Sequence, residues 1–268
     1  MDNFQNEKKL ESNENSPKVS FVVIHPGSSD NHSAGERMVL SFNQIEYAVF
    51  RWCQPGTFIM GSPEDEIGRN TTETQHQVTF SRGLWMLETQ VTQEMWEKVM
   101  GDNPSHNKCS RHPVENVSWN DCQRYINKLN ELSVDIPGLR FSLPTEAEWE
   151  YACRADTTTA YHFGDTINLH EANFEGKIVR DVGSYPANAW GLYDMHGNVW
   201  EWCLNWNAAY PNGPVTDPKA EPKGTHRVAR GGGWNALARD CRSAERLPIH
   251  PALNFSFLGF RLSLVFDR

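Results

Sequence analysis

Arg230–Arg261, RGGGWNALARDCRSAERLPIHPALNFSFLGFR, joins two rigid-looking ends through a run with no sustained period. Gly231, Gly232 and Gly233 let the backbone take positive φ or approach another element closely, and Trp234 then supplies a large apolar anchor. At the far end, Phe260, Leu262, Leu264 and Phe266 alternate with Arg261, Ser263 and Val265, which predicts one strand with one face in the core. Between them, Leu247, Ile249, Leu253, Phe255 and Phe257 are interleaved with Pro248, His250, Pro251 and Asn254. Two prolines three apart exclude a helix or a central strand there. An apolar loop held at both ends predicts a binding surface, because loops on rigid scaffolds carry function and contiguous apolar patches mark interfaces. The competing expectation is that these side chains plug the end of the core.

The rest of the chain narrows the class. It has 268 residues and a formal net charge of −9, which argues against a nucleic-acid partner. No apolar run is long enough to span a bilayer, and MDNFQNEKKL lacks the apolar core of a signal peptide, so no membrane insertion is expected. Six cysteines are scattered without a CxxC pair, predicting buried free thiols in place of a zinc site or a disulfide framework. Ten tryptophans, five of them at Trp190, Trp200, Trp202, Trp206 and Trp234, predict a core wedged by aromatics.

Residues 1–17 read as a disordered leader or tether, and residues 18–268 as a single domain. Val19–Val23 and Met38–Phe42 are short β-prone runs, and Ala48–Met60 is a further strand-like run punctuated by Pro55-Gly56. Thr92 caps a helix through Met100. Ser118 with Asp121 starts a second, on which Cys122, Tyr125, Ile126 and Leu129 share a stripe, and Thr145 with Glu148 forms a capping box for a third. The second half is expected to be loop-rich with short strands, giving an α+β class without βαβ alternation.

Six stretches in order, GTFIMGSPEDE, TQVTQEMW, HPVENVSWNDC, RFSLPTEAEWEYACR, GLYDMHGNVWEWC and RGGGW…CRSAER…LGFRL, resemble the formylglycine-generating enzyme (sulfatase-modifying factor) family from about Phe50 to Leu264. The resemblance implies a loop-rich C-type-lectin-like fold, with short antiparallel strands and two to three helices. Enzymes of that family oxidise a substrate cysteine with a copper(I)-holding C-x4-C pair after the RGG-aromatic motif; here the second position is Cys241 and the first is Ala236. An alanine methyl cannot replace a thiolate at a soft-metal site, so neither copper nor oxidase activity is expected. The layout most resembles the variable proteins of diversity-generating retroelements, in which adenine-directed mutation of a C-terminal segment varies a ligand-binding face. Changing the first two bases of an AAC codon never yields Lys, Glu, Gln, Met or Trp. Of these, Asn235–Phe257 contains only Glu245, whereas Asn212–Trp234 contains Lys219, Glu221, Lys223 and Trp234.

The expected face is therefore the segment 235–257, with Asn235, Ala236, Leu237, Arg239, Asp240, Glu245, Leu247, Ile249, His250, Leu253, Phe255 and Phe257 pointing outward to a protein ligand. A receptor-like, non-catalytic monomer is expected. The alternatives are a sulfatase-modifying-type oxidase and a fixed regulatory or assembly module. The polar leader resembles the tether of a surface lipoprotein, with a cytoplasmic location as the alternative. In GLYDMHGNVWEW, two carboxylates flanking a glycine turn suit calcium. The resemblance implies the side chains of Asp194 and Glu201 with the carbonyls of Gly197 and Val199, against a turn in which Asp194 caps amides and Glu201 makes an ion pair. His112 and His196 are expected to make local hydrogen bonds, and no Ser/His/Asp set, phosphate loop or HExxH motif is present.

Overall fold

The computed structural model describes residues 32–42 and 45–266. The expected leader and the strand expected at Val19–Val23 lie outside them. In chain order the elements are β1 (Arg37–Phe42), β2 (Ile45–Cys53), β3 (Gly56–Met60), β4 (His76–Phe80), β5 (Leu84–Leu87), α1 (Gln93–Met100), α2 (Trp119–Leu132), β6 (Leu139–Ser142) and α3 (Glu146–Arg154). They continue with β7 (Trp200–Trp206), β8 (Val215–Thr216), β9 (Arg227–Arg230), a 3-10 turn at Ala238–Cys241, β10 (Leu247–Ile249), β11 (Leu258–Phe260) and β12 (Ser263–Phe266). Among the described residues three sheets form, in the orders β1-β2-β5-β12-β6, β10-β9-β7-β11 and β3-β4-β8. Pairing is antiparallel except for β7 with β11 and β4 with β8.

All three helices start where the sequence places them. The Thr92 side chain accepts from the Met95 amide, and Ser118 with Asp121 and Thr145 with Glu148 form reciprocal capping boxes that satisfy otherwise orphaned amides. Helix α2 buries Cys122, Tyr125, Ile126 and Leu129, and Tyr125 stacks on Trp96 of α1 with centroids 5.2 Å apart. The core around them contains Trp85, Phe141, Trp200, Trp202 and Phe260. Every cysteine is a free thiol, and all but Cys109 are buried.

Two strand expectations need correction. Ala48–Met60 is not one run: β2 ends at Cys53, and a turn at Gln54-Pro55 starts β3. The C-terminal strand also divides. Strand β11 lies beside β7 in one sheet and β12 between β5 and β6 in another, so the chain changes sheet at Arg261-Leu262. Arg261 and Ser263 are consequently buried, as the alternation did not predict, because protein covers both faces at the crossing. Pro248 is accommodated in β10 because β10 is an edge strand.

Candidate functional site: the Arg230–Arg261 segment

The ends of this segment are held by charges out of contact with water. Arg230, Arg242 and Arg261 are among the largest fully buried side chains. Arg230 pairs with Glu146 and Glu150 of α3. Arg242 gathers Glu66 at 2.6 Å, Glu73 at 2.8 Å and Glu245 at 2.7 Å. Arg261 reaches both oxygens of Glu201, at 2.9 and 3.0 Å, and the carbonyls of Leu87, Glu88 and Tyr193. Gly232 has a φ of 78°, and a Cβ there would strike the Cys241 sulfur, so the glycine lets the 3-10 turn close against β9. Sequence reasoning missed these arginines as supports. For Arg230 and Arg261 the available signal was a place inside a glycine or apolar motif, where a solvated charge does not belong; Arg242, in the charged run RDCRSAER, carried no such signal.

Of the twelve residues expected to face outward, Asn235, Leu237, Arg239, His250, Leu253 and Phe255 do so, and Asp240, Leu247 and Phe257 are half-buried. Ala236, Glu245 and Ile249 are buried, a correction with separate causes. Ala236 packs with Cys241, Tyr161 and Phe174; Glu245 is drawn in by Arg242 and by Asn70; Ile249 belongs to the main core. The outward residues around 250–257 sit on a backbone tied to the scaffold. The Phe255 carbonyl accepts from the Asn116 amide, the Phe257 carbonyl from the Trp200 amide and the Ser256 carbonyl from the Trp234 indole. Phe255 and Phe257 stack with centroids 5.0 Å apart and an interplanar angle of 3°.

The two positions onto which the resemblance carries the family's cysteine pair hold the Ala236 methyl and one buried thiol. Burial, then Asp240, pushes the Cys241 thiol far up, away from the thiolate that metal binding requires. Cys153 faces His196 and Ser243. These residues do not fit copper(I), which needs two thiolates. His196 is fully engaged, but by residues distant in sequence and not by the local bonds expected: one ring nitrogen lies 2.7 Å from the Cys241 carbonyl and the other accepts from the His162 amide. Burial, then His162, holds it well below the usual histidine range, so it stays neutral. His112 departs from the expected local bonding, since its Nδ1 is buried without a partner and its Nε2 faces Asp181.

The oxygens proposed for calcium are committed to protein donors. The Gln90 amide group donates to the carbonyls of Asp194 and Gly197, both at 3.3 Å, and of Val199 at 3.0 Å. Glu201 is taken by Arg261 and by the Trp149 indole at 2.7 Å, while the Asp194 carboxylate accepts from the Gly183 amide. In this arrangement the four residues do not fit a calcium ion, because a neutral amide and a guanidinium stand where cation charge would be needed.

A loop-rich, C-type-lectin-like scaffold presenting a backbone-tethered apolar loop is the class defined by these features. The chain belongs to the sulfatase-modifying factor enzyme 1-like family, whose domain matches residues 38–264. Formylglycine-generating enzyme of Mus musculus is 31% identical over 207 residues, covering 69% of this chain and 52% of that protein. Serine/threonine-protein kinase pkn1 of Chlamydia caviae is 37% identical over 164 residues, covering 57% of this chain and 24% of that protein. The chain therefore spans between about a quarter and a half of these two relatives. Among solved structures, Treponema denticola variable protein 1 superposes with a TM-score of 0.71 at 28% identity, covering 87% of this chain and 97% of that one. PvdO from Pseudomonas aeruginosa gives 0.73 at 28% identity, covering 81% and 94%.

Proposed function

We infer that the protein is a non-catalytic ligand-binding module displaying a diversifiable face, centred on residues 250–257, to a protein ligand. The observation that carries this reading is the division of labour in the loop. Its backbone is tied to Asn116, Trp200 and Trp234, while Leu253 and Phe255 remain 47% and 36% exposed. Side chains can therefore change without loss of the anchoring bonds. The likeness to a variable protein over most of both chains supports the same reading. Fully burying one exposed Leu or Phe on a partner contributes about 1.5–3 kcal/mol, so three or four such anchors offset a large part of the association cost. The test replaces Leu253 and Phe255 together by Ser or Asn and compares ligand capture and melting temperature with the native chain. Loss of capture with a nearly unchanged melting temperature is expected; a large fall in melting temperature overturns the assignment.

The oxidase reading makes a separate forecast. Supplied with copper(I) and a sulfatase-type cysteine peptide, the protein is expected to produce no formylglycine, because Ala236 removes one of two thiolates. Turnover would restore it. Gln90 is proposed to replace the structural cation, so added calcium should leave the melting temperature unchanged. Gln90→Glu should introduce calcium dependence by supplying a charged oxygen ligand to the carbonyl ring. A cell-surface location is part of the proposal and is tested by surface proteolysis of intact cells.

A further inference from the structure

Away from the display segment, Cys109, His112 and Asp181 turn their donor atoms to one point on the protein's flank. Cys109 Sγ lies 3.7 Å and His112 Nε2 lies 3.5 Å from the same oxygen, Asp181 Oδ1, and all three atoms fall within 4.8 Å of one another. The His112–Asp181 separation is long for a direct hydrogen bond, while the Cys109 thiol is within reach of donating to the same oxygen. The two distances to Asp181 Oδ1 come within about 0.2 Å of the edges of a tetrahedron whose bonds have the lengths usual for zinc, roughly 3.3–3.6 Å between ligand atoms, and the third edge is under 4.8 Å. A Cys/His/Asp catalytic relay requires the imidazole between thiol and carboxylate, with each ring nitrogen engaged. Here the carboxylate oxygen is in the middle, and His112 Nδ1 has no partner. The arrangement is convergent, as ligands are, and not sequential.

We propose that Cys109, His112 and Asp181 form a binding site for a zinc-type divalent cation, with a fourth position open to water. A thiolate, an imidazole and a carboxylate are a donor set suited to that class of ion. Cys109 is the one thiol among the described residues that is not buried, which leaves it accessible to metal. The loop is already shaped for the task. The His112 amide donates to the Cys109 carbonyl at 3.0 Å, closing a C-x2-H turn, and the Cys109 amide donates to Gln93 Oε1. Asp181 is held alongside by the Val182 amide donating to the Arg111 carbonyl. Arg111 sits 3.5 Å from Asp181 Oδ2, leaving Oδ1 to the metal.

The site would join two loops that both support the display segment. From one, Asn116 donates its amide to Phe255; from the other, the amides of Glu175 and Gly176 donate to Ala236 and Trp234. A cation bound to Cys109, His112 and Asp181 thus cross-links the two mounts of the face without touching the face itself. This inference stands independently of the ligand-binding reading.

The full chain, stripped with chelator under reducing conditions, should bind one equivalent of zinc in a competition assay against a chromophoric chelator. With cobalt(II) it should show a thiolate-to-cobalt charge-transfer band, which the five buried thiols cannot supply. Cys109→Ser should abolish the band, and His112→Ala and Asp181→Asn should each weaken zinc binding at least about tenfold. Circular dichroism of the variants separates loss of a ligand from loss of fold. Absence of stoichiometric binding would leave a plain His–Asp pairing and overturn the proposal, as would binding that survives intact in a Cys109→Ser/His112→Ala chain.

Discussion

Cys241–Arg246 and His250–Phe257 are neighbours in sequence and opposites in construction. Every residue of the first is buried, and its position is fixed by side chains: Arg242 on three glutamates, Arg246 on Glu146 and Glu245 on Asn70. In the second, most side chains face outward and the backbone makes the attachments. Where side chains hold the chain in place, each identity is constrained; where the backbone does so, identities are free. A face meant to vary must be built the second way, and it must adjoin something built the first way to have a defined position.

The largest blow to this contrast is expected from Arg242→Ala. It would strand Glu66, Glu73 and Glu245 out of water, and the loss of one partner of a buried charge cluster costs about 3–5 kcal/mol. Chemical denaturation of the variant would measure it, and a loss under about 1 kcal/mol would mean that water reaches the cluster. Next comes Ile249→Ala, predicted by its core contacts to cost about 2–4 kcal/mol in the same assay.

A smaller effect comes from pH. Burial, then Glu73, pushes Glu245 up to about 7, above its value in the unfolded chain. Its stabilising contribution is therefore complete below about pH 4.5 and is lost as pH rises through about 7. Glu245→Gln should flatten the melting temperature between pH 6 and pH 8 and raise it at the upper end. An unchanged pH profile would show that Glu245 is ionised throughout. The smallest effect, within about 0.5 kcal/mol by denaturation, is expected for Leu253→Ser, since its side chain is exposed. A cost resembling that of the buried Ile249 would mean that the His250–Phe257 stretch is itself part of the core.

The helices were legible because their caps are local chemistry: Thr92, Ser118 and Thr145 reveal themselves within four residues. The division of the terminal strand was not, since Arg261 is committed to Glu201, sixty residues away in sequence, and alternation says nothing of partners at that range. The site was partly legible. Phe255 and Leu253 read correctly as exposed, but Ile249 carries the same hydrophobic signal and lies in the core. Glu245 had a clue of its own as the sole residue of the segment outside the reach of adenine-directed codon change, and it proves to be a buried support. The carbonyl hub around Gln90 was invisible, because a glutamine more than a hundred residues from its acceptors leaves no pattern.

Strand β12 lies between β5 and β6, inside the five-stranded sheet, and follows the display segment in the chain. Translation therefore reaches residues 235–257 before it supplies the strand that joins those two neighbours. A stop codon or a shift of reading frame within residues 235–257 removes β12 and leaves both neighbours with unpaired edges, a state prone to aggregation and proteolysis. Synthesis order thus makes folding itself a check that the segment was read through in frame.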